Sequence, residues 1–234
     1  MMDCDPAPQR PVVIAVDGPA GAGKSTIARR VAARLGFIYI DTGAMYRAVA
    51  LWALRQNIDT ADMHRMEQLA LAAEIRLEPG GTVLLNGEDV TAAIRTPQVS
   101  EAASRVAVIA GVRRAMVEKQ RAMGARTSVV MEGRDIGTVV FPAADVKIFL
   151  DARPEERVRR RFTEDLEKGA AVSAEAVAAQ MRERDRRDST RTEAPLTQAP
   201  DAVYLDSTGL TIDQVEEAVL KLGRSRVSNG KECS

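Results

Sequence analysis

Gly18-Pro19-Ala20-Gly21-Ala22-Gly23-Lys24-Ser25 decides how this chain is read. It fits G-x-x-x-x-G-K-[ST], the pattern of a phosphate-binding loop. Its flanks supply the context that the pattern requires. Val12-Val13-Ile14-Ala15-Val16, just before it, is a short β-branched apolar run of the kind that forms a buried parallel strand. Thr26 to Leu35, just after it, carries apolar residues at helical spacing. In a strand–loop–helix unit the glycines let the backbone wrap closely around phosphate oxygens, and the free N–H groups of the turn and of the helix N-terminus point inward. Lys24 then reaches the outer phosphates and the Ser25 hydroxyl ligates Mg²⁺. The rival reading, a glycine-rich turn with no ligand, is disfavoured because pattern and context agree.

Working outward, strand-like runs at Val12–Val16, Phe37–Ile40, Val129–Met131, Val146–Leu150 and Val203–Leu205 alternate with helical patterns near 24–35, 43–56, 61–73, 105–124, 154–168, 173–188 and 212–222. Such alternation predicts an α/β fold with a parallel sheet covered on both faces. One stretch breaks the rhythm. Glu74 to Glu78 alternates polar and apolar, Pro79-Gly80-Gly81 is a turn signal, Thr82 to Leu85 follows, and Asn86-Gly87 is a second turn signal. Period two with short turns predicts a small antiparallel hairpin inserted at roughly 66–100. The expected organisation is one domain over 11–223. Its core is 11–60, 120–156 and 192–223. A hairpin-bearing region covers about 61–119, an arginine-rich helical segment about 157–191, and 1–10 and 224–234 are polar, flexible tails.

Bulk composition excludes several classes. The 234 residues suffice for one well-packed domain, and 33 basic residues balance 33 acidic ones, so no net charge draws the chain to nucleic acid or to an anionic membrane. Only six of the basic residues are lysine; the rest are arginine, which suits bidentate phosphate binding. Cys4 and Cys233 lie in the tails and His64, the one histidine, in a polar helical stretch, which rules out a disulfide framework and a cysteine or histidine metal cluster. No apolar run approaches a membrane span and no signal-peptide core opens the chain, so a soluble cytoplasmic protein is expected.

Three further clusters bear chemistry. Asp41-Thr42-Gly43-Ala44-Met45-Tyr46-Arg47 follows the second strand and opens a helix. Ligands of open α/β sheets sit beyond the carboxyl ends of the strands, so this cluster faces the same crevice as the phosphate loop. Thr42 and Arg47 can hold a second phosphate and Asp41 can orient Mg²⁺-bound waters; equally, Asp41 or Thr42 can simply cap the helix. Glu132-Gly133-Arg134-Asp135-Ile136-Gly137 follows the third strand, again with an arginine and acids around glycine. In the run from Arg182 to Arg191, helical geometry puts Arg184, Arg187, Asp188 and Arg191 on one face. That face is either solvated or closes over phosphates as a lid. These residues by themselves leave open a kinase for some other small acceptor and a non-catalytic ATP-binding module.

Taken together, GPAGAGKST, DTGAMYRAVA, EGRDIGTVVFP, VKIFLDA and RERDRRDSTRTEAPL, in this order and spacing, resemble the bacterial cytidylate kinases from about Val12 to about Leu222. Many NTPases carry close variants of the phosphate loop; EGRDIGTVVFP and the RDxRDxxR pattern carry the specificity. The segment after the third strand lacks the DG-x-P-R pattern of adenylate kinases. The resemblance implies a P-loop nucleoside monophosphate kinase fold: a five-stranded parallel sheet flanked by helices, a monophosphate-binding region with a small antiparallel sheet, and a helical lid. It implies transfer of a phosphoryl group from ATP to CMP or dCMP with Mg²⁺; a monomer with no nucleic-acid or membrane partner is expected. It assigns ATP to Gly18, Pro19, Ala20, Gly21, Ala22, Gly23, Lys24, Ser25 and Thr26, with Arg157 and the Asp206-Ser207-Thr208 turn near the adenine. The acceptor nucleotide falls to Thr42, Tyr46, Arg47, Ser104, Arg113, Arg134, Asp135, Arg184, Asp188 and Arg191. Lys24, Arg134 and Arg184 would surround the transferring group, and Ser25 and Asp41 would serve the metal. Within this set, Ser104, Arg113 and Asp135 would read the cytosine.

Overall fold

A computed structural model describes residues 10–167 and 169–229. The chain runs β1 (Val13–Asp17), α1 (Lys24–Leu35), β2 (Ile38–Asp41), α2 (Thr42–Arg55), α3 (Met63–Ala72), β3 (Ile75–Leu77), β4 (Val83–Leu85), β5 (Glu88–Asp89), α4 (Pro97–Val106), α5 (Ala110–Gly124), β6 (Val129–Glu132), β7 (Val146–Asp151), α6 (Pro154–Glu167), α7 (Ala174–Thr190), β8 (Val203–Asp206) and α8 (Ile212–Asn229). Five strands form one parallel sheet in the order β2-β6-β1-β7-β8, and β3-β4-β5 form a separate antiparallel sheet. The α/β expectation holds, with the antiparallel insertion where it was read.

The central strand shows why. All five residues of β1 are buried, and they alternate between two cores. Ile14 and Val16 pack with Ile27, Val31, Ile148, Leu150, Val219 and Leu220, beneath α1 and α8. Val13 and Ala15 pack with Ile40, Met131, Ile136 and Val140 on the other face. Period two along a doubly covered strand reads as an unbroken apolar run because both faces are dry. A third core, with Met45, Met66, Ile94, Val112 and Met116 at its centre, joins α2 to the antiparallel sheet and to α3, α4 and α5. Ion pairs fasten α8 to α1: Glu216 takes Arg30 and Arg34, and Asp213 takes Arg30 at 2.6 Å.

Local chemistry sets the ends of α1. Gly23 precedes it in the left-handed region, and Gly36 closes it at φ 68°, donating to the carbonyls of Ala32 and Ala33. At α2, Asp41 accepts from the Ala44 amide, so the cap reading of Asp41 is realised.

Three expectations need correction. The helix read over 105–124 is two helices. Val106, Val108 and Ile109 put β-branched residues close together, a weak helical run, and Ile109 is extended (φ −77°, ψ 117°) at the start of α5. The break turns Val112, Arg113 and Met116 inward. The hairpin gains a third strand, because Glu88 and Asp89 pair with Leu85 and Leu84 although both are exposed and acidic. The segment after β6, to which no element was assigned, holds one wide helical turn over 136–140, with Val140 N–H bonded to the Asp135 carbonyl at 3.1 Å and Phe141 N–H to the Ile136 carbonyl at 2.7 Å. The C-terminal tail expected from 224 is helical as far as Asn229. Residues 1–9 and 230–234, which hold Cys4 and Cys233, lie outside the described residues. Among the described residues no helix is long and apolar enough to cross a membrane.

Two glycines predict different costs. Gly18 has φ 144°, and a Cβ there would sit 1.9 Å from the Leu150 carbonyl oxygen on β7. Gly36 has φ 68° with nothing within 4 Å. Gly36→Ala is expected to cost about 1 kcal/mol of unfolding free energy, the strain of the left-handed region alone. Gly18→Ala, which adds a backbone clash, is expected to cost more than about 3 kcal/mol. Urea unfolding of both variants checks the order; equal losses would contradict it.

Candidate active site

The carboxyl ends of three adjacent strands build the site. β1 ends at Asp17 and runs into the phosphate loop, β6 ends at Glu132, and β2 ends at Asp41. In register, Glu132 lies between Val16 on one side and Asp41 on the other. The three clusters that are distant in sequence are therefore side by side.

In the phosphate loop, Gly18, Gly21 and Gly23 all have positive φ. A Cβ on Gly21 would sit 2.9 Å from the Arg157 carbonyl oxygen, so glycine is required there by space as well as by conformation. Lys24 is buried and its Nζ donates to the Pro19 carbonyl at 2.6 Å, folding the side chain back over the loop. Burial lowers its pKa to about 7, with Arg134 and Arg184 pushing the same way and Glu132 and Asp188 opposing. Glu132 is buried too. Desolvation and the Asp41 carboxylate push its pKa up, against Lys24 and hydrogen bonds from Tyr39 and Ser25. Arg29 stacks over the far face of Tyr39, 5.2 Å from the ring centroid. Ser25 and Thr26 stand exposed at the start of α1.

Across from the loop is a group of arginines. Arg134 donates from Nε to Asp188 at 2.8 Å. Arg47 pairs with Asp41 at 2.9 Å. Arg191 lies 3.6 Å from Asp135 and 4.0 Å from Asp188. Arg184, on α7, is half-buried, and burial together with Arg134 lowers its pKa to about 10. Buried guanidinium nitrogens of Arg47, Arg184 and Arg191 have no hydrogen-bond partner. Buried donors normally find acceptors, so these three point to an anion. Burial alone would raise the Asp188 pKa, but Arg134, Arg184 and Arg191 outweigh it and hold the carboxyl below the usual range. Thr42 turns its hydroxyl to the Glu132 carbonyl at 2.7 Å, beside Gly133.

Beyond the arginines lies a neutralised polar pair. Arg113 is bonded to Asp135, both buried, and donates to the Ala107 carbonyl at 3.2 Å. Its guanidinium covers the Tyr46 ring at 5.9 Å. Burial raises the Tyr46 pKa to about 12, against the opposing pull of Arg113, so the phenol is neutral. Ser104 is buried on α4 and accepts from Arg187 of α7 at 3.0 Å; Arg187 also bonds Glu101 at 3.0 Å.

Sequence reasoning brought most of this group together, with Arg187 placed only on the shared face of the lid, but gave no individual role to Asp17, Glu132 or Arg160. Arg160 spans the phosphate loop and the 206–208 turn, donating to the Ser207 hydroxyl and carbonyl at 2.9 Å each and to the Ala22 carbonyl at 3.4 Å. Its only signal was a place in an arginine-rich helix. Arg157 is buried against the loop rather than open to solvent, with Ala20 carbonyl at 3.2 Å and Asp185 at 2.7 Å. Asp41 has one carboxylate oxygen on the Ala44 amide and the other on Arg47. Among the described residues no three acidic, histidine or cysteine side chains gather into a metal cage. The exposed Ser25 hydroxyl, beside Glu132, fits a hard cation that takes most of its ligands from phosphate oxygens and water.

A family model described as cytidylate kinase matches residues 14–225. A cytidylate kinase of Solibacter usitatus is 71% identical over 228 residues, covering 97% of this chain and 98% of that protein. One of Pelotomaculum thermopropionicum is 49% identical over 222 residues, covering 93% and 96%. Among solved structures, an uncharacterized protein from Eubacterium ventriosum superposes with a TM-score of 0.54 at 11% identity over 92% of this chain and 98% of that one, a likeness of fold alone.

Asp188 is the carboxylate that lets Arg134, Arg184 and Arg191 share one space. Asp188→Ala leaves them mutually repelling, and is expected to cost about 3 kcal/mol of stability. Added sulfate, which can take the vacated place among the guanidiniums, should recover part of the loss. Urea unfolding with and without sulfate checks this. Equal sulfate stabilisation of variant and parent would mean that the arginines do not depend on Asp188.

Proposed function

We propose that this chain, which belongs to the cytidylate kinase family, transfers the γ-phosphoryl group of ATP to CMP and dCMP, giving ADP and CDP or dCDP. The observation that carries the reading is the pairing of two phosphate holders across one cleft. The loop with Lys24 is on one side. Arg47, Arg184 and Arg191, with buried unpartnered nitrogens, are on the other.

Phosphoryl transfer needs two phosphates held in line, charge neutralised and water excluded; the protein supplies little covalent chemistry. An oxygen of the CMP phosphate attacks the γ-phosphorus, the bond to the β,γ-bridging oxygen breaks, and ADP leaves with that electron pair. The attacking oxygen is already ionised near neutral pH, so no general base is required. Lys24, Arg134 and Arg184 surround the transferring group and take up the charge that shifts to the bridging oxygen. The backbone of Gly18, Pro19, Ala20, Gly21, Ala22 and Gly23 wraps the donor phosphates, and Thr26 extends that cradle. Mg²⁺, held by Ser25 and the ATP phosphates, would supply further charge neutralisation. Asp41, with its carboxylate engaged by Ala44 and Arg47, would act only through water. Arg157 serves ATP by bracing the loop at Ala20.

Thr42, Arg47 and Arg134 hold the acceptor phosphate. Arg113 donates to the N3 and O2 acceptors of cytosine and Asp135 accepts from its N4 amino group, with Tyr46 beneath Arg113 and Ser104 at the edge of the base. Uracil puts a carbonyl where that amino group was, facing a carboxylate, so UMP is rejected by repulsion. Arg184, Asp188 and Arg191 serve the sugar and the phosphates. Residues about 61–119 carry the acceptor nucleotide and about 157–191 close as a lid; closure keeps water from replacing CMP as the acceptor. The protein acts as a cytoplasmic monomer.

A coupled ADP-release assay with CMP, dCMP, UMP, AMP and GMP tests the reading. ADP release is expected with CMP and dCMP and little with UMP, AMP or GMP; release that is independent of CMP would contradict it. In the same assay Lys24→Met is expected to keep the fold and lose roughly 10²–10³ in kcat. Asp135→Asn is expected to impair CMP and narrow the CMP:UMP ratio of kcat/KM, since the amide can turn its donor to the uracil carbonyl. An unchanged ratio would remove Asp135 from base reading.

A further inference from the structure

Asp17 ends β1 as a charged residue in a strand with all five residues buried. Both of its oxygens are committed to one short segment: Oδ1 accepts the Ile136 amide at 2.8 Å and Oδ2 the Gly137 amide at 2.7 Å. A second bond ties the same segment to the same strand, from the Gly133 amide to the Val16 carbonyl at 3.0 Å. Between these two anchors lie only Arg134 and Asp135. Arg134 reaches Asp188 on α7, and Asp135 is bonded to Arg113 on α5. The backbone at Asp135 (φ −151°, ψ 25°) is outside regular structure and the Asp135 side chain does not cap the turn that follows, so the Asp17 carboxylate satisfies donors that the turn leaves open.

We infer that Asp17 is the positioning residue for acceptor selection: it clamps the far end of the two-residue span and so aims Arg134 at the acceptor phosphate and Asp135 at the base. The inference rests on the proposed CMP kinase activity and adds a residue that touches neither nucleotide. Asp17 is well suited to the task. Burial raises its pKa to about 6, against the two amide bonds and Lys24, so it is an acceptor with two charged oxygens at neutral pH. Charge-assisted bonds to two successive amides fix direction as well as distance. The turn packs closely against β7 at Gly137, where a Cβ would lie 3.1 Å from the Lys147 side chain.

The test is Asp17→Asn, in which the amide can accept from only one of the two N–H groups and turns a donor toward the other. Wild type and variant are assayed with CMP, dCMP, UMP and ATP, and ATP binding is measured separately by titration. The expected result is a fall in kcat/KM for CMP and dCMP of roughly 10- to 100-fold, the scale for misplaced reacting groups. The KM for CMP should rise, the CMP:UMP ratio should narrow, and ATP affinity should stay within about twofold. An unchanged KM for CMP and an unchanged CMP:UMP ratio would overturn the inference. So would an equal loss of ATP and CMP affinity, which would make Asp17 a general support of the phosphate loop. Asp17→Ser, with one short acceptor and no charge, is read in the same way if the asparagine variant does not fold. If neither folds at 10 °C, Asp17 is required for the fold and the positioning role is refuted. A wild-type protein that releases no ADP with CMP would fail the functional reading itself, a result distinct from any of these.

Discussion

The cleft buries more positive than negative charge, and the rest of the site is arranged around that imbalance. Lys24, Arg47, Arg134, Arg184 and Arg191 gather here against four carboxylates: Glu132 and Asp188 among Lys24, Arg134 and Arg184, Asp41 on Arg47, and Asp135 beside Arg191. Burial first and neighbouring guanidiniums second pull Lys24 and Arg184 down, and the arginines hold Asp188 low in spite of its burial. Charges are buried only when paired or when an ion completes the set. On the proposed reading the completing ions are phosphate groups, one on the loop side and one on the arginine side.

The fold provides the means to hold such a cluster. Parallel strands end together, so β2, β6 and β1 deliver Asp41, Glu132 and the phosphate loop to one edge. Helices α5 and α7 come in over that edge with Arg113, Arg184, Asp188 and the nearby Arg191. The bond from Arg187 on α7 to Ser104 and Glu101 on α4 ties α7 to the helix that carries Ser104. Arg157 and Arg160 tie α6 to the phosphate loop. Helices α6 and α7 are therefore fastened to both sides of the cleft by arginine side chains.

Much of this was legible in the sequence where function is local. The phosphate loop was readable because its glycines and lysine are consecutive and its flanks are a strand and a helix. Asp41 to Arg47, Glu132 to Gly137 and Arg184 to Arg191 were readable because each cluster follows a strand or repeats along a helix. What stayed hidden depends on contacts between distant segments. Asp17 bonds backbone amides about 120 residues away, and an amide leaves no mark in a sequence pattern. Arg160 and Arg157 meet loop carbonyls for which the same holds. The break between α4 and α5 was masked because the apolar spacing runs on across it, and β5 because two exposed acids give no strand signal. Asp41 was left between cap and metal helper, and its geometry shows the cap and the Arg47 pair.

The central claim is that the cleft is built for two phosphate chains at once, with adenosine on one end and cytidine on the other. The most direct measurement is calorimetric binding of an analogue in which adenosine and cytidine are joined through five phosphates. It is predicted to bind at least about 100-fold more tightly than ATP or CMP alone, because one molecule engages both sites, and more tightly than its uridine counterpart. Affinity no greater than that of ATP, with no preference for cytidine over uridine, would contradict the account.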